Sequence, residues 1–158
     1  MDLELVHSLF RYEDGQLIRL VSKGGYIAGS IAGALQPDGY YTVRVKRKTY
    51  PVHRVIFAML YGYVPDQVDH IDGNRGNNRI ENLRAATAIT NGYNRKNSIN
   101  NTSGTKGVTW HISNKKWQVR INVDGKRKAL GYYNDLEMAE LVAVEARNKY
   151  HGEYANHG

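Results

Sequence analysis

The sequence predicts an α+β protein built from two small domains, and three observations support this. The chain has 158 residues, enough for two small domains, and 41% of them are hydrophobic, enough for modest cores. Segments that alternate apolar and polar residues between glycine-containing turns are typical of short strands. A polar stretch without an apolar pattern separates two such groups of segments, at residues 95–105.

The first group of segments predicts a β-rich region that leads into a helix. The runs GQLIRLV and GYYTVRVKRKTYPV alternate β-branched or aromatic residues with polar ones, as strands do. The run VHRVIFAMLYG that follows them is apolar and compact, which indicates a short buried helix. We therefore predict one domain over residues 1–94 and a linker over residues 95–105.

The second group predicts a three-stranded antiparallel sheet packed on one helix, over residues 106–158. The strands are KGVTWHI, KWQVRINVDG and KRKALGYY, with a hairpin turn at VDGK between the last two. NDLEMAELVAVEARNKY predicts the helix, with Asn134 as its N-cap and Glu137 three residues later. One helical face carries mostly small residues that would lie close on the sheet: Ala139, Val142, Ala143, Ala146 and Tyr150.

Composition narrows the class of partner without deciding it. The formal net charge is +7 and the pI about 9.6, a balance that suits a polyanion but also serves plain solubility. There is no cysteine, which removes disulfides and cysteine-ligated zinc. No apolar run approaches the roughly 20 residues of a membrane span, and the polar, acidic start does not resemble a secretory signal.

The chemistry-bearing residues are concentrated in the polar stretch DQVDHIDGNRGNNRIENLRAATAITNGYN, over residues 66–94. Cleavage of a phosphodiester needs an activated water and a cation on the scissile phosphate. Asp69 and Asn91 carry the oxygen ligands that hard cations prefer. His70 is a suitable general base because imidazole titrates near neutral pH. Since neighbouring strand residues point to opposite faces, Asp69 and His70 are expected at the end of a strand.

This stretch resembles the HNH endonucleases of phage and intron type, in the run VDHIDGNRGNNRIENLRAATAITNGYN. The resemblance implies two strands and a helix around one divalent metal, magnesium or manganese. It implies that His70 is the general base, that Asp69 and Asn91 hold the metal, and that Asn82 hydrogen-bonds across the loop. The likeness extends upstream through FRYEDGQLIRL, GYYTVRV and the pair His53-Arg54, and it covers most of residues 9–97.

Each of these residues also has a structural explanation. Asn77, Asn78 and Asn82 could cap the loop through Asx turns, and Asn91 could begin a helix. His53 and Arg54 are candidates for a secondary role, although a hydrogen-bonded structural role is the commoner one for such a histidine. Arg75, Arg79 and Arg84 could bind phosphates or remain solvated loop charges.

The second predicted sheet has the pattern of a DNA-reading surface. In KWQVRINVD, Trp117, Val119, Ile121 and Val123 fall on one face, and Gln118, Arg120, Asn122 and Asp124 on the other. A sheet can enter the major groove, where Arg pairs with guanine and Asn with adenine. Trp110 and Trp117 are expected in the core.

Residues 104–156 resemble the DNA-binding domain of the plant APETALA/ethylene-response-factor proteins, through GTKGVTWHISNKKWQVRI and LGYYNDLEMAELVAVEARNKYHGEYAN. That resemblance implies a sheet whose outer face contacts DNA. The plant domains carry more arginine there, so the target sequence cannot be transferred. The positions it implies for DNA contact are Lys106, Thr109, His111, Arg120, Asn122 and Arg127.

These observations predict a metal-dependent DNA endonuclease, of homing type by resemblance, acting on double-stranded DNA in a bacterial or phage-infected cytoplasm. A single Asp-His-Asn-Asn constellation, with no apolar stripe for dimerisation, favours a monomer that nicks one strand. One alternative is a DNA-binding regulator with an inactive nuclease centre. Another is an RNA-binding protein, although the exposed aromatic pattern of common single-strand modules is missing.

Overall fold

The protein folds as two compact units, seen here in a computed structural model that describes residues 1–95 and 97–157. The first unit comprises Met1–Thr87 and the second begins at Ala88. Lys96 of the predicted linker and Gly158 of the predicted last domain lie outside the described residues. The domain boundaries predicted from the sequence stay a prediction.

The first unit contains two helices, two three-stranded sheets and one two-stranded sheet, all antiparallel. The sheet orders are β1-β2-β3, β4-β5-β6 and β7-β8. A 3₁₀ turn at Ile80–Asn82 precedes the last strand. The elements are α1 Leu3–Leu9, β1 Phe10–Glu13, β2 Gln16–Arg19, β3 Ile31–Ala32, β4 Ala34–Leu35, β5 Tyr41–Val45, β6 Lys48–Pro51, α2 Val52–Tyr61, β7 Gln67–His70 and β8 Leu83–Ala86.

Helix α2 forms the centre of the first core, which confirms the helix predicted for VHRVIFAMLYG. Val55 and Ile56 are fully buried in it. The helix ends at Gly62, whose φ of 76° is the left-handed conformation that glycine adopts without strain. Helix α1 was not predicted; it begins at Asp2, whose carboxylate accepts a hydrogen bond from the Leu5 N–H at 3.1 Å. Its Val6 is buried in the same core.

The second unit contains the predicted three-stranded sheet and helix, preceded by a short helix. The strand order is β11-β10-β9, and all pairings are antiparallel. At the β10–β11 turn, Asp124 and Gly125 both have positive φ, as the predicted Asp-Gly hairpin requires. The elements are α3 Ala88–Tyr93, β9 Val108–His111, β10 Lys116–Val123, β11 Lys126–Tyr133, α4 Leu136–His151 and a 3₁₀ turn at Gly152–Tyr154.

Helix α4 packs on the sheet through its small residues, but its N-cap differs from the prediction. Ala139 and Ala143 are buried against Val108 and Val119, as the small-residue face predicted. The N-cap is Asp135, whose carboxylate accepts from the Glu137 N–H, so the assignment of Asn134 was wrong. Asp135 is the last non-helical residue and therefore the one whose side chain reaches the open N–H groups.

Three further side chains of the second unit depart from the predicted faces. Tyr150 is exposed at the end of α4. Trp110 is 45% exposed on the outer strand β9, where it pairs edge-on with Trp117 across the strands instead of entering the core. Gln118 is buried and donates to the Tyr132 hydroxyl at 2.7 Å, so it does not face solvent. A β-bulge between Val119 and Arg120 shifts the register beyond this point.

Candidate active site

Asp69 and His70 are the last two residues of β7, as the sequence predicts. Both are buried, at 7% and 4% exposure. Strand β8 pairs Arg84 with Asp69 and Leu83 with His70. The chain turns directly after His70, where the Gly73 N–H donates to the His70 carbonyl at 2.9 Å. The strand end therefore holds a carboxylate and an imidazole on adjacent residues.

The carboxylate of Asp69 is paired with the guanidinium of Arg84. The Arg84 NH2 and Nε groups donate to Asp69 Oδ2 at 2.8 and 3.1 Å, and both side chains are largely buried. Opposite charges directly across an antiparallel pair stabilise it. Arg84, expected on the loop as a solvated charge or a phosphate ligand, is thus placed beside the predicted metal ligand. The two hydrogen bonds from Arg84 fix the orientation of the Asp69 carboxylate.

The imidazole of His70 is oriented by a buried amide. His70 Nε2 lies 3.0 Å from Asn78 Oδ1, and Asn78 is itself only 4% exposed. An amide oxygen accepts hydrogen bonds and cannot donate them, so Nε2 carries the proton. In the neutral ring, Nδ1 is then the basic nitrogen. This is the arrangement that a general base requires, with one nitrogen bound and the other basic.

His70 lies in a cluster of rings from three different segments of the chain. The centroid of the His53 ring, on α2, lies 4.8 Å from that of the His70 ring. The centroid of the Tyr40 ring lies 5.2 Å from that of His53 and 5.9 Å from that of His70. Burial, followed by the charges of His70 and Arg54, lowers the pKa of His53 to about 3. His53 is therefore neutral at neutral pH. Its Nδ1 is buried and lacks a hydrogen-bond partner within the described residues.

The loop between β7 and β8, residues 71–82, is held by Asn82 and Asp72. Asn82 Oδ1 accepts from the Asp72 N–H at 3.1 Å, while its Nδ2 donates to Asp72 Oδ1 and to the Asn77 carbonyl, both at 2.9 Å. Asn77 Nδ2 donates to Asp72 Oδ2 at 2.8 Å. Asn82 thus makes the hydrogen bonds across the loop that its predicted role requires.

The carboxyl of Asp72 is stabilised in its charged form by these donors. Partial burial raises its pKa, but the hydrogen bonds from Asn77, the Asn74 N–H and Asn82 outweigh burial. The pKa of Asp72 therefore lies below its ordinary value. This carboxylate, which the sequence analysis did not single out, is the centre of the loop's hydrogen-bond network.

The remaining arginines of the predicted nuclease region make structural contacts. Arg54 donates to the carbonyls of Pro65 and Asp66, both at 2.9 Å, and so holds the chain that enters β7. Arg75 donates to the Asp38 carbonyl at 2.7 Å and lies over the Tyr40 ring. Arg79, half-exposed, pairs with Asp14 at 2.7 Å. Arg75 and Arg79 remain partly accessible at the surface.

Asn91 lies on α3, within the second unit. The helix ends at Tyr93, whose ring stacks on His151 with 3.7 Å between centroids and 8° between planes. The Tyr93 hydroxyl accepts from the Asp124 N–H at 2.8 Å. Lys106 Nζ donates to the carbonyls of Tyr93 and Arg95. Side chains far along the chain therefore fix the end of this six-residue helix.

The predicted DNA contacts of the second sheet differ in accessibility. Thr109, Arg120, Asn122 and Arg127 are exposed, whereas His111 is half-buried and packs edge-on against Tyr132. Asn122 and Arg127 are direct cross-strand partners. Lys106 differs from the others because its ammonium is bonded to backbone carbonyls. Burial, then the charges of Arg147 and Arg95, lowers the pKa of Lys106 to about 8.

A divalent cation fits the donor types of the predicted ligands. Asp69 offers a carboxylate and Asn91 an amide oxygen, both of which hard cations accept. Arg84 already engages Asp69 Oδ2, so a cation would share this carboxylate with the guanidinium. Within residues 1–95 and 97–157 no three His, Cys, Asp or Glu side chains form a metal-binding group. The predicted ligands, Asp69 and Asn91, include only one side chain of these four types, so they do not form a group of this kind.

Sequence reasoning missed two residues that contact His70. Asn78 was read only as a loop cap, and Tyr40 only as part of a strand. The sequence contains a partial signal for Asn78, since it stands in the matched run NRGNNRIENL. Tyr40 also stands in a matched run, GYYTVRV, but its contact with His70 joins segments 30 residues apart and depends on the folded chain.

Comparison with known proteins identifies a nuclease domain in the first part of the chain. Residues 50–93 match the family described as HNH endonuclease, so the chain carries an HNH nuclease domain. The chain is also 34% identical over 107 residues to Protein 3.8 of Escherichia phage T7, an alignment that covers 65% of this chain and 86% of that protein. The chain belongs to the family of this phage protein. No solved structure matches it significantly.

The comparisons confirm the predicted HNH resemblance and the predicted link to phage proteins. The assignment of the second unit to ethylene-response-factor-type domains remains a proposal. No helix in the described part of the chain is long and apolar enough to cross a membrane.

Proposed function

We propose that this protein is a metal-dependent DNA endonuclease in which His70 activates the attacking water. The observation that carries the proposal is the buried pair at the end of β7, with Asp69 held by Arg84 and His70 held by Asn78. An ion-paired carboxylate beside an imidazole of fixed tautomer supplies the two functions that hydrolysis needs, a cation ligand and a base. The match of residues 50–93 to HNH endonucleases supports the same assignment.

In this proposal His70 Nδ1 takes the proton of the water that attacks the phosphorus. Asn78 accepts from Nε2 throughout, so the ring stays in position as Nδ1 gains its proton. The neutral ring of His53 beside it adds no second charge to the resulting imidazolium. The Asn82 and Asp72 hydrogen bonds hold the loop that follows His70. Asn82 therefore acts on catalysis by maintaining the shape of the loop.

Asp69 and Asn91 are the proposed ligands of magnesium or manganese. The cation would supply Lewis-acid stabilisation of the phosphate and of the leaving oxygen. The hydrogen bond from Arg84 would hold the Asp69 carboxylate in the orientation that binds the cation. Arg75 and Arg79, which are exposed on the loop of residues 71–82, are proposed contacts of the DNA backbone.

The second unit is proposed to select the cleavage site. Its exposed Thr109, Arg120, Asn122 and Arg127 would read base edges or phosphates, in the manner of the ethylene-response-factor domains that it resembles. A homing-type role, a monomeric state and activity in the cytoplasm of a bacterial host complete the proposal. The alternative, a DNA-binding regulator with an inactive centre, predicts binding without cleavage.

The test is cleavage of a labelled duplex by His70→Ala in the presence of magnesium or manganese. We expect the rate to fall about 100-fold or more, the usual contribution of a general base, while DNA affinity stays close to the parent value. The matched control is His7→Ala, which removes an exposed histidine of α1 and should retain full activity. A parent chain that binds DNA but never cuts it, with either metal, would support the regulator instead.

A further inference from the structure

A cleft of about 310 Å³ opens in the second unit beside the end of β9, between α3 and strand β10. The space greatly exceeds the roughly 30 Å³ of one water molecule, so it can hold a small polyatomic group. Its lining is unusually cationic for a feature of this size. The basic side chains that line it are Lys106, Arg120, Arg127, Arg147 and His151.

Arg147 is the buried member of this set and its guanidinium is incompletely bonded. The residue is only 3% exposed. Its NH1 donates to the Lys106 carbonyl, and its Nε lies 3.4 Å from His157 Nδ1. Its NH2 is buried without a hydrogen-bond partner among the described residues. A buried charged donor without an acceptor is costly, so a cleft lined by this side chain favours an acceptor from outside the chain.

The second unit carries an excess of positive charge. From residue 88 onward the sequence has eleven Lys or Arg against six Asp or Glu. The mutual repulsion is evident at Lys106, whose pKa is lowered to about 8 by burial and then by Arg147 and Arg95. An anion bound in the cleft would reduce the repulsion between these cations and would accept a hydrogen bond from the Arg147 NH2 group.

We propose that this cleft binds a phosphate group, and specifically a phosphodiester of the DNA backbone, through Arg147, Arg127 and Arg120. The planar guanidinium matches the oxygens of a phosphate, and two exposed arginines beside one buried arginine allow contacts from both sides. The site would fix the register of the second sheet on the duplex, while the exposed strand residues read bases. The inference rests on the proposed function only for the identity of the ligand as DNA.

The first experiment measures the melting temperature of the full chain with inorganic phosphate, against sodium chloride of equal ionic strength. We expect phosphate to raise the melting temperature by about 2–4 °C in the parent. The shift should disappear in Arg147→Lys, which retains the charge but loses the second donor group, and should shrink in Arg127→Gln. Lys126→Gln is the matched control, because it removes one charge from the adjacent position on the opposite face of β11.

The second experiment measures affinity for duplex DNA in the His70→Ala background, so that no cleavage intervenes. We expect Arg127→Gln to weaken binding about tenfold and to reduce the slope of log affinity against log salt by about 1. Lys126→Gln should change affinity by less than about threefold. This measurement remains decisive even if Arg147→Lys fails to fold. Arg127 is exposed, so its substitution should not prevent folding.

Equal DNA affinities of Arg127→Gln and Lys126→Gln would overturn the proposal, whether or not free phosphate raises the melting temperature. Absence of a phosphate shift in the parent would overturn it as well, because the built site would then not exist. Failure of the endonuclease assignment would give a different result. The variants would still differ in DNA affinity as predicted, but the chain with His70 intact would not cut DNA.

Discussion

Two parts of the matched nuclease region are held in place by different means. The loop of residues 71–82 is held from within, by Asn82, Asn77 and Asp72, whose partners lie at most ten residues away. Helix α3 is held by side chains from much later in the chain. Lys106 is 13 residues from Tyr93, and Asp124 and His151 are more distant still.

The difference shows that one short motif can depend on two separate sources of stability. The segment matched to HNH endonucleases, residues 50–93, includes both the loop and α3. A six-residue helix is too short to be stable alone, so α3 needs tertiary contacts. The loop has hydrogen bonds between its own residues, which Asn82, Asn77 and Asp72 make. Mutations that loosen one part should therefore leave the other largely intact.

The strongest test of this separation is Tyr93→Ala. The substitution removes a buried ring that stacks on His151, and we expect the second unit to lose about 3 kcal/mol of stability. Because α3 carries Asn91, the magnesium concentration for half-maximal cleavage should rise. Hydrogen exchange should accelerate at residues 88–93 but not at residues 72–79.

Tyr93→Phe is the control for that substitution. It keeps the ring stack but removes the hydroxyl that accepts from the Asp124 N–H, so we expect a loss of only about 1 kcal/mol. A metal titration of Tyr93→Ala that superimposes on the parent curve would contradict the idea that the second unit positions Asn91.

Asn82→Ala tests the loop, with a smaller expected effect. The change removes three hydrogen bonds that Asn82 makes to Asp72 and to the Asn77 carbonyl. We expect a loss of about 1–3 kcal/mol, measured by denaturant unfolding, with faster exchange at residues 72–79 and unchanged exchange at 88–93. Asn74→Ala, which removes one exposed bond to the Gly76 N–H, should stay within about 0.5 kcal/mol. Similar losses in the two variants would mean that the network is not cooperative.

The parts of the site that could be predicted from the sequence are those with short-range determinants. The position of Asp69 and His70 at a strand end follows from the alternation of strand residues, and the bonds of Asn82 follow from its spacing to the loop. The Asp-Gly turn of the second sheet follows from residues that tolerate positive φ. Each of these features needs only a few neighbouring residues.

The parts that could not be predicted depend on distant partners. Arg84 was predicted to bind phosphate or to remain a solvated loop charge, because the sequence does not reveal that β8 places it opposite Asp69. The hydrogen bonds of the Lys106 ammonium could not be foreseen, because its carbonyl acceptors on Tyr93 and Arg95 come close only in the folded unit. Trp110 was placed in the core because its hydrophobicity is visible and its position on an outer strand is not. Folding decides between such alternatives through contacts that no local pattern encodes.

The smallest expected effect is a difference in acid sensitivity between the loop and α3. Burial lowers the pKa of His151 below its ordinary 6.5, and the charges of Lys106 and Arg147 lower it further, against the raising effect of the Asn122 carbonyl. The pKa of Asp72 lies below its ordinary 3.8. In both cases the folded state binds the proton more weakly than the unfolded state. Acidification therefore destabilises each part, but in a different range of pH.

For His151 the loss begins as the pH falls below 6.5, where the unfolded chain gains a proton that the folded chain resists. For Asp72 the loss begins only below 3.8, and it is small because this carboxylate is largely exposed. Hydrogen exchange compared at pH 7 and pH 5 should therefore show residues 88–93 losing protection while residues 72–79 keep theirs, after correction for intrinsic rates. The selective loss should be absent in His151→Gln, which cannot gain the proton. Equal loss of protection in both segments of the parent would show that the acid-sensitive element lies elsewhere and that His151 does not control the contacts of α3.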